Sequence, residues 1–268
     1  MIKRSIISFF LLFTFLALCA CKKPYDKATV IYEDQAHVKC AVSEPIKPIY
    51  IPSTFTMQSI KTSVQDEFNF WLYTPETPVK DMPLVIYLHG SAEKGYDLSV
   101  TVMYGFGNYI STGKLGDVPA YVVMPQVLPT QKGWLDAKVS VKELVDYMAK
   151  NYHIDTGKVA ITGHSMGGTG AWNIATEYPD VFTRVAPVSG WADITEKKKR
   201  NLKNKEIWAF VGSEDYIIRP DSSVEMVELL NCESARVTVF SGATHTDVPL
   251  LTYLDQEVMD WLCFKDKK

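Results

Sequence analysis

Six short, largely apolar runs punctuate the chain at residues 84–88, 120–124, 159–162, 181–188, 207–211 and 237–240. Continuous runs, as opposed to alternating ones, are the pattern of strands buried on both faces. Between them lie segments of helical character at 139–151, 169–178, 222–231 and 250–264. In the first of these, Val141, Leu144, Val145 and Met148 recur on one helix face, which predicts a helix packed on the core. Strand alternating with helix predicts an α/β fold with a mostly parallel central sheet flanked by helices. Two β-rich runs upstream, 55–61 and 68–73, predict an antiparallel N-terminal lead-in. No internal repeat and no Pro/Gly linker divides this body, so residues 48–268 read as one domain.

The first 47 residues follow another pattern. Lys3 and Arg4 precede the uncharged apolar run 6–18, which ends in Leu18-Cys19-Ala20-Cys21. The run is shorter than the ~18–20 residues of a spanning helix, which predicts an export signal over residues 1–20 in place of a permanent span. Its ending resembles the bacterial lipobox, in which a small residue precedes the cysteine that is acylated. That resemblance implies lipidation at Cys21 and anchorage to a bacterial membrane, on its periplasmic or cell-surface face. Cys19 fits less well because bulky Leu18 stands before it. A plain secretory signal with incidental cysteines is the alternative. Residues 21–47 are polar and aperiodic, and are expected to form a disordered tether.

Chemistry concentrates at Gly163-His164-Ser165-Met166-Gly167, set between the apolar run 159–162 and the helical segment 169–178. A strand that turns sharply into a helix holds its apex residue out in the open, and the glycines two positions to either side leave room for the neighbouring backbone. Ser165 then reads as a nucleophile; the bland alternative is a Gly-rich turn with a capping serine. A serine hydroxyl needs a base oriented by a third group. Of the five histidines, His164 adjoins the serine on a tight turn, His37 lies in the expected tether, and His89 and His153 sit at strand boundaries. His245, just past the last predicted strand and on the same sheet edge as Ser165, is the candidate base. The acid falls between them in chain order at Asp215, with Glu214 and Asp193 as weaker choices. Backbone N–H groups of Ser91 and Met166 are the expected oxyanion donors, Ser91 through the strand-end loop His89-Gly90-Ser91-Ala92. Trp134 and Trp191 fall on loops at the same edge and read either as a platform for a sugar or aromatic acyl group, or as ordinary packing.

In this order, His89-Gly90-Ser91-Ala92-Glu93-Lys94-Gly95, Met124-Pro125-Gln126, Gly163 to Gly168, Trp208 to Gly212 with Asp215, and the His245 segment resemble the α/β-hydrolases of the predicted-peptidase branch. These are akin to polyhydroxybutyrate-depolymerase-like and feruloyl-esterase-like enzymes. The resemblance spans roughly residues 80–264 and implies an α/β-hydrolase fold, a Ser165-Asp215-His245 triad and acyl groups on carbohydrate or small-molecule substrates. The chain departs from the family at Val211, Ala92 and Thr246 to Pro249, positions that shape the pocket and leave the triad intact. Two alternatives stand beside this esterase reading: a serine peptidase acting on small peptides, and a non-catalytic surface binding lipoprotein on a hydrolase scaffold.

Charge excludes one class of partner. Without residues 1–20 the chain carries 26 basic against 31 acidic side chains, a formal charge of −5, which gives no footprint for nucleic acid. The basic cluster from Lys197 to Lys205 reads as a solvated loop or helix face. No metal-ligand spacing and no nucleotide-binding glycine motif is present, so neither a metal nor another cofactor is implied. Cys40, Cys232 and Cys263 would allow one disulfide, with the pairing open.

Overall fold

The apolar runs form the centre of a nine-stranded sheet in the computed structural model, which describes residues 29–34 and 54–265. Its strands are β1 (Thr29–Asp34), β2 (Phe55–Ile60), β3 (Phe68–Tyr73), β4 (Leu84–Leu88), β5 (Tyr121–Pro125), β6 (Val159–His164), β7 (Arg184–Val188), β8 (Glu206–Gly212) and β9 (Ala235–Ser241). They lie in the order β1-β9-β8-β7-β6-β4-β5-β3-β2. From β5 through β4 to β9 all neighbours are parallel, while β3 pairs antiparallel with both β2 and β5. This is the α/β-hydrolase arrangement expected, with its antiparallel lead-in.

Largely apolar sequence is explained by cover on both faces. Leu84, Ile86 and Leu88 of β4 point into one core layer with Val123, Ile161 and Val185. Val85 and Tyr87 point into the other with Val122, Ala160 and Phe210. The first layer is closed by helices α2 (Lys138–Tyr152), α3 (Met166–Glu177) and α5 (Asp221–Leu230), the second by α1 (Gly105–Ser111), α6 (Val248–Tyr253) and α7 (Gln256–Leu262). Val141, Leu144, Val145 and Met148 are the buried stripe of α2, as their spacing predicts.

Four details differ from the expectation. The last helical segment is two helices, because Asp255 breaks the run and caps α7 by accepting the Glu257 N–H at 2.7 Å. The basic cluster contains the short helix α4 (Glu196–Leu202), and Lys198 is not solvated: it is buried and paired with Asp193 at 2.7 Å. Within the stretch read as a tether, residues 29–34 form β1, paired parallel on β9, so the sheet begins upstream of residue 48. Cys232 and Cys263 are free thiols and are not joined to each other. The leader 1–20, Cys21, Cys40 and the remainder of the tether lie outside the described residues.

Candidate active site

Ser165 sits between β6 and α3 with φ 59° and ψ −117°, the strained turn that the Gly-x-Ser-x-Gly pattern requires. The flanking glycines are sterically obligatory. A Cβ on Gly167 would stand 1.8 Å from the Leu88 carbonyl oxygen, and one on Gly163 would stand 2.4 Å from it. The turn is tied to β7 by the Ser165 N–H, which donates to the Val188 carbonyl at 2.9 Å. The first intrahelical bond of α3 runs from the Thr169 N–H to the Ser165 carbonyl at 3.0 Å, so the Met166 N–H lies ahead of the ladder at the positive end of the helix.

The loops after β8 and β9 bring Asp215 and His245 together. His245 Nδ1 lies 2.7 Å from Asp215 Oδ2, and both residues are buried. The other carboxylate oxygen, Oδ1, accepts the N–H groups of Ile217 at 3.0 Å and Ile218 at 2.8 Å, which fixes the carboxylate plane. With Nδ1 bonded to a carboxylate, the imidazole presents Nε2 outward. The His164 ring packs beside it at 4.6 Å between centroids, and His164 Nε2 donates to the His245 carbonyl at 2.9 Å. His164 is therefore a brace for the His245 loop. Ser165 Oγ itself makes no hydrogen bond among the described residues, and the bond from serine to imidazole is one that catalytic hydroxyls commonly tighten only with substrate in place.

The other sequence candidates are separated by their surroundings. Glu214 is exposed beside Asp215, and Asp193 is engaged by Lys198. His89 is locked inside, with Nδ1 donating to the Gly90 carbonyl at 2.6 Å and Nε2 accepting the Val127 N–H at 3.1 Å. The loop it begins lies against the elbow: a Cβ on Gly90 would stand 3.8 Å from Ser165 Cβ. Ser91 opens the short 3-10 turn Ser91–Glu93, and its N–H, like that of Met166, bonds to no protein acceptor among the described residues.

Trp134 corrects the platform reading. Only 2% exposed, it donates its indole N–H to the His89 carbonyl at 2.9 Å and packs edge-on to the His89 ring, so it supports the loop from within and offers no open face. Trp191 differs: it is 50% exposed, and its backbone N–H donates to Thr169 Oγ1 at 2.8 Å, one turn along the helix that Ser165 begins. Tyr216 and Ile217, directly after Asp215, are also exposed, Tyr216 by 85%. Sequence reasoning singled out neither, although their place after the acid was a usable signal. It also missed Glu93, whose buried carboxylate accepts the Gly90 N–H at 2.7 Å.

Burial gives these inner groups a pH signature. It holds His89 and His164 down to about 4 from an ordinary 6.5, with His245 adding to the effect on His164. Burial likewise lifts Glu93 to about 7 from an ordinary 4.5, against the opposing pull of the Gly90 N–H. Between pH 6.5 and 4 the unfolded chain binds two imidazole protons that the folded chain refuses, which lowers stability as pH falls. Glu93 acts in the reverse sense: the folded carboxyl keeps a proton that the unfolded one loses, an advantage present below 4.5 and lost as pH rises through 7. Two imidazoles outweigh one carboxyl in the overlap. The melting temperature is expected to fall on acidification from pH 6.5 to 4, by a loss on the order of a few kcal/mol at about 1.4 kcal/mol per pKa unit for each group. Thermal unfolding across that range checks the sign; a melting temperature that rises instead would refute it.

A groove of about 690 Å³ lies at the opposite, amino edge of β7 to β9, remote from Ser165. Its Arg184 bonds Glu206 at 2.7 Å and stacks against Phe264, clamping the C-terminal helix to the sheet.

The Esterase family model, described as "Putative esterase", matches residues 61–250. Poly(3-hydroxyalkanoate) depolymerase C of Paucimonas lemoignei is 26% identical over 198 residues, covering 58% of this chain and 46% of that protein. S-formylglutathione hydrolase of Paracoccus denitrificans (strain Pd 1222) is 34% identical over 87 residues, covering 32% of this chain and 30% of that protein. The chain thus spans less than half the length of the curated relatives it matches. Among solved structures, a thermostable esterase superposes with a TM-score of 0.67 at 24% identity, covering 78% of this chain and 62% of that one. Est1E from Butyrivibrio proteoclasticus superposes with a TM-score of 0.59 at 14% identity, covering 78% and 98%. Both likenesses are of fold.

Proposed function

The chain belongs to the Esterase family, and from that premise we propose that it hydrolyses carboxylic esters through an acyl-serine intermediate formed on Ser165. The observation that carries the reading is the 2.7 Å bond from His245 Nδ1 to Asp215 Oδ2 on the sheet edge that also bears the Ser165 elbow. Ser165 Oγ attacks the ester carbonyl carbon while His245 Nε2 takes the hydroxyl proton. Asp215 holds the imidazole in the tautomer that presents Nε2 and stabilises the imidazolium. The carbonyl oxygen, now carrying the negative charge, is met by the N–H groups of Ser91 and Met166, a term worth about 3–4 kcal/mol per donor in related chemistry. Collapse breaks the bond to the alcohol, which leaves with the proton from His245. Water then repeats the sequence on the acyl-serine and releases the acid.

The substrate side of the proposal is an acyl group on a carbohydrate or small-molecule alcohol. It is supported by the exposed Trp191 beside the α3 N-terminus and by Tyr216 and Ile217 after Asp215, apolar faces suited to an aromatic or extended acyl group. The names of the depolymerase and the S-formylglutathione hydrolase are in keeping with ester chemistry. The test is turnover of a short-chain p-nitrophenyl ester together with labelling by a fluorophosphonate at one equivalent on Ser165. A folded protein that neither turns over nor labels would overturn the reading in favour of a binding lipoprotein; preferential cleavage of small peptides would move it to the peptidase alternative.

Lipid anchorage at Cys21 is the second part of the proposal, resting on Leu18-Cys19-Ala20-Cys21. One acyl chain binds a bilayer only marginally, whereas several hold it stably at ~0.8 kcal/mol per buried methylene. Labelled fatty acid is expected in the membrane-bound wild type, and Cys21→Ser is expected to release active, soluble protein. Label that is absent from the wild type, or that persists in the variant, would leave a plain secretory signal.

A further inference from the structure

Gly90 is the hinge of the loop that faces Ser165, and both peptides flanking it are clamped. The peptide before it is held by its N–H, which donates to Glu93 Oε2 at 2.7 Å. The peptide after it is held by its carbonyl, which accepts from His89 Nδ1 at 2.6 Å and from the Glu93 N–H at 3.3 Å. In a trans peptide the C=O and the next N–H point in opposite directions, so fixing the Gly90 carbonyl aims the Ser91 N–H. Glu93 is itself anchored, since Gln126 Nε2 donates to its carbonyl at 2.9 Å and to that of Asp97 at 2.8 Å. Glycine without such restraint samples a wide range of backbone angles, and an oxyanion donor acts only when it is aimed beforehand.

We propose that Glu93 is a positioning residue for the ester-hydrolysis site: its carboxylate holds the Gly90 N–H while its backbone N–H accompanies His89 on the Gly90 carbonyl, and with both peptides of Gly90 held the Ser91 N–H is fixed as an oxyanion donor. The proposal rests on the serine-hydrolase reading above and adds to it a residue that touches neither substrate nor the reacting atoms. Burying a carboxyl is costly, and burial already pushes this one up to about 7. Its place beside the elbow supplies an acceptor for the Gly90 N–H that a neutral apolar side chain could not.

The experiment compares Glu93→Leu and Glu93→Gln with wild type at pH 8, using p-nitrophenyl acetate as substrate and an alkylboronic acid whose tetrahedral serine adduct places an oxygen in the oxyanion position. Glu93→Leu is expected to lower kcat by roughly 10- to 100-fold, part of what deleting a donor costs, with KM changed less than about threefold and boronate affinity weakened in step with kcat. Glu93→Gln keeps an acceptor oxygen and is expected to retain at least about a third of the wild-type kcat. If Glu93→Leu does not fold, Glu93→Asp, whose carboxylate falls one methylene short of Gly90, carries the same comparison. A kcat within about twofold of wild type, a loss of kcat with unchanged boronate affinity, or a glutamine variant as impaired as the leucine one would each overturn the role. A Ser165→Ala control separates the two levels: if it retains turnover, the site reading fails, whereas its loss of turnover beside an unaffected Glu93→Leu removes only the Glu93 proposal.

Discussion

Ser165→Ala is expected to lower kcat for a short-chain p-nitrophenyl ester by roughly 10⁴- to 10⁶-fold while leaving the melting temperature near that of wild type. The loss is large because no other group in the proposed mechanism forms the covalent bond to the acyl carbon. The fold is spared because Ser165 Oγ contributes no hydrogen bond among the described residues and the residue is only half-buried, so its removal orphans no partner there and leaves little space behind. Alanine also tolerates the φ of 59° no worse than serine does. A variant hydrolysing the ester within threefold of wild type would remove Ser165 from the chemistry.

His245→Ala is expected to cost nearly as much as the serine change, and the double variant scarcely more than either, because nucleophile and base act as one unit. The contrast lies with its neighbour. His164→Ala removes a donor to the His245 carbonyl and a packed ring, so a loss of about tenfold is expected through slackening of the loop. Asp215→Asn should fall between the two histidine changes. Asparagine can still accept the Ile217 and Ile218 N–H groups through its one oxygen, but it loses the carboxylate that orients His245. Glu214→Gln, on an exposed side chain, should be indistinguishable from wild type in kcat/KM. Steady-state kinetics on the set decides the matter: His164 outranking His245, or Glu214 outranking Asp215, would reassign the base or the acid.

Much of this arrangement is legible in the sequence, for a physical reason. Strands buried on both faces are apolar along most of their length, which marks β4 to β9 without reference to their partners, and a strand-to-helix turn this tight admits only glycine at Gly163 and Gly167. His245 and Asp215 could be chosen because chain order and sheet edge restrict the options. Features decided by packing across the sequence were not legible. Trp134 and Trp191 look alike in a loop, yet one fills the space under His89 and the other faces out. Lys198 belongs to a basic cluster, and only the proximity of Asp193 draws it inward. Glu93 sits in a polar-looking loop, where its spacing of three from Gly90 was the one local hint of a reciprocal cap.

The direction of β1 bears on how the proposed anchor would hold the sheet. Its first residue, Thr29, is level with Arg236 and its last, Asp34, with Ser241, so the chain joins the sheet at the amino edge and runs toward the edge that carries Ser165 and His245. Thr29 lies eight positions after Cys21, a reach of at most roughly 26–29 Å when fully extended. With the proposed acyl anchor on Cys21, the sheet would stand on its amino edge close to the bilayer, with its reactive mouth turned toward the medium. Such a posture would face the proposed active site away from the phospholipid esters of the membrane that holds it and toward esters arriving from the other side.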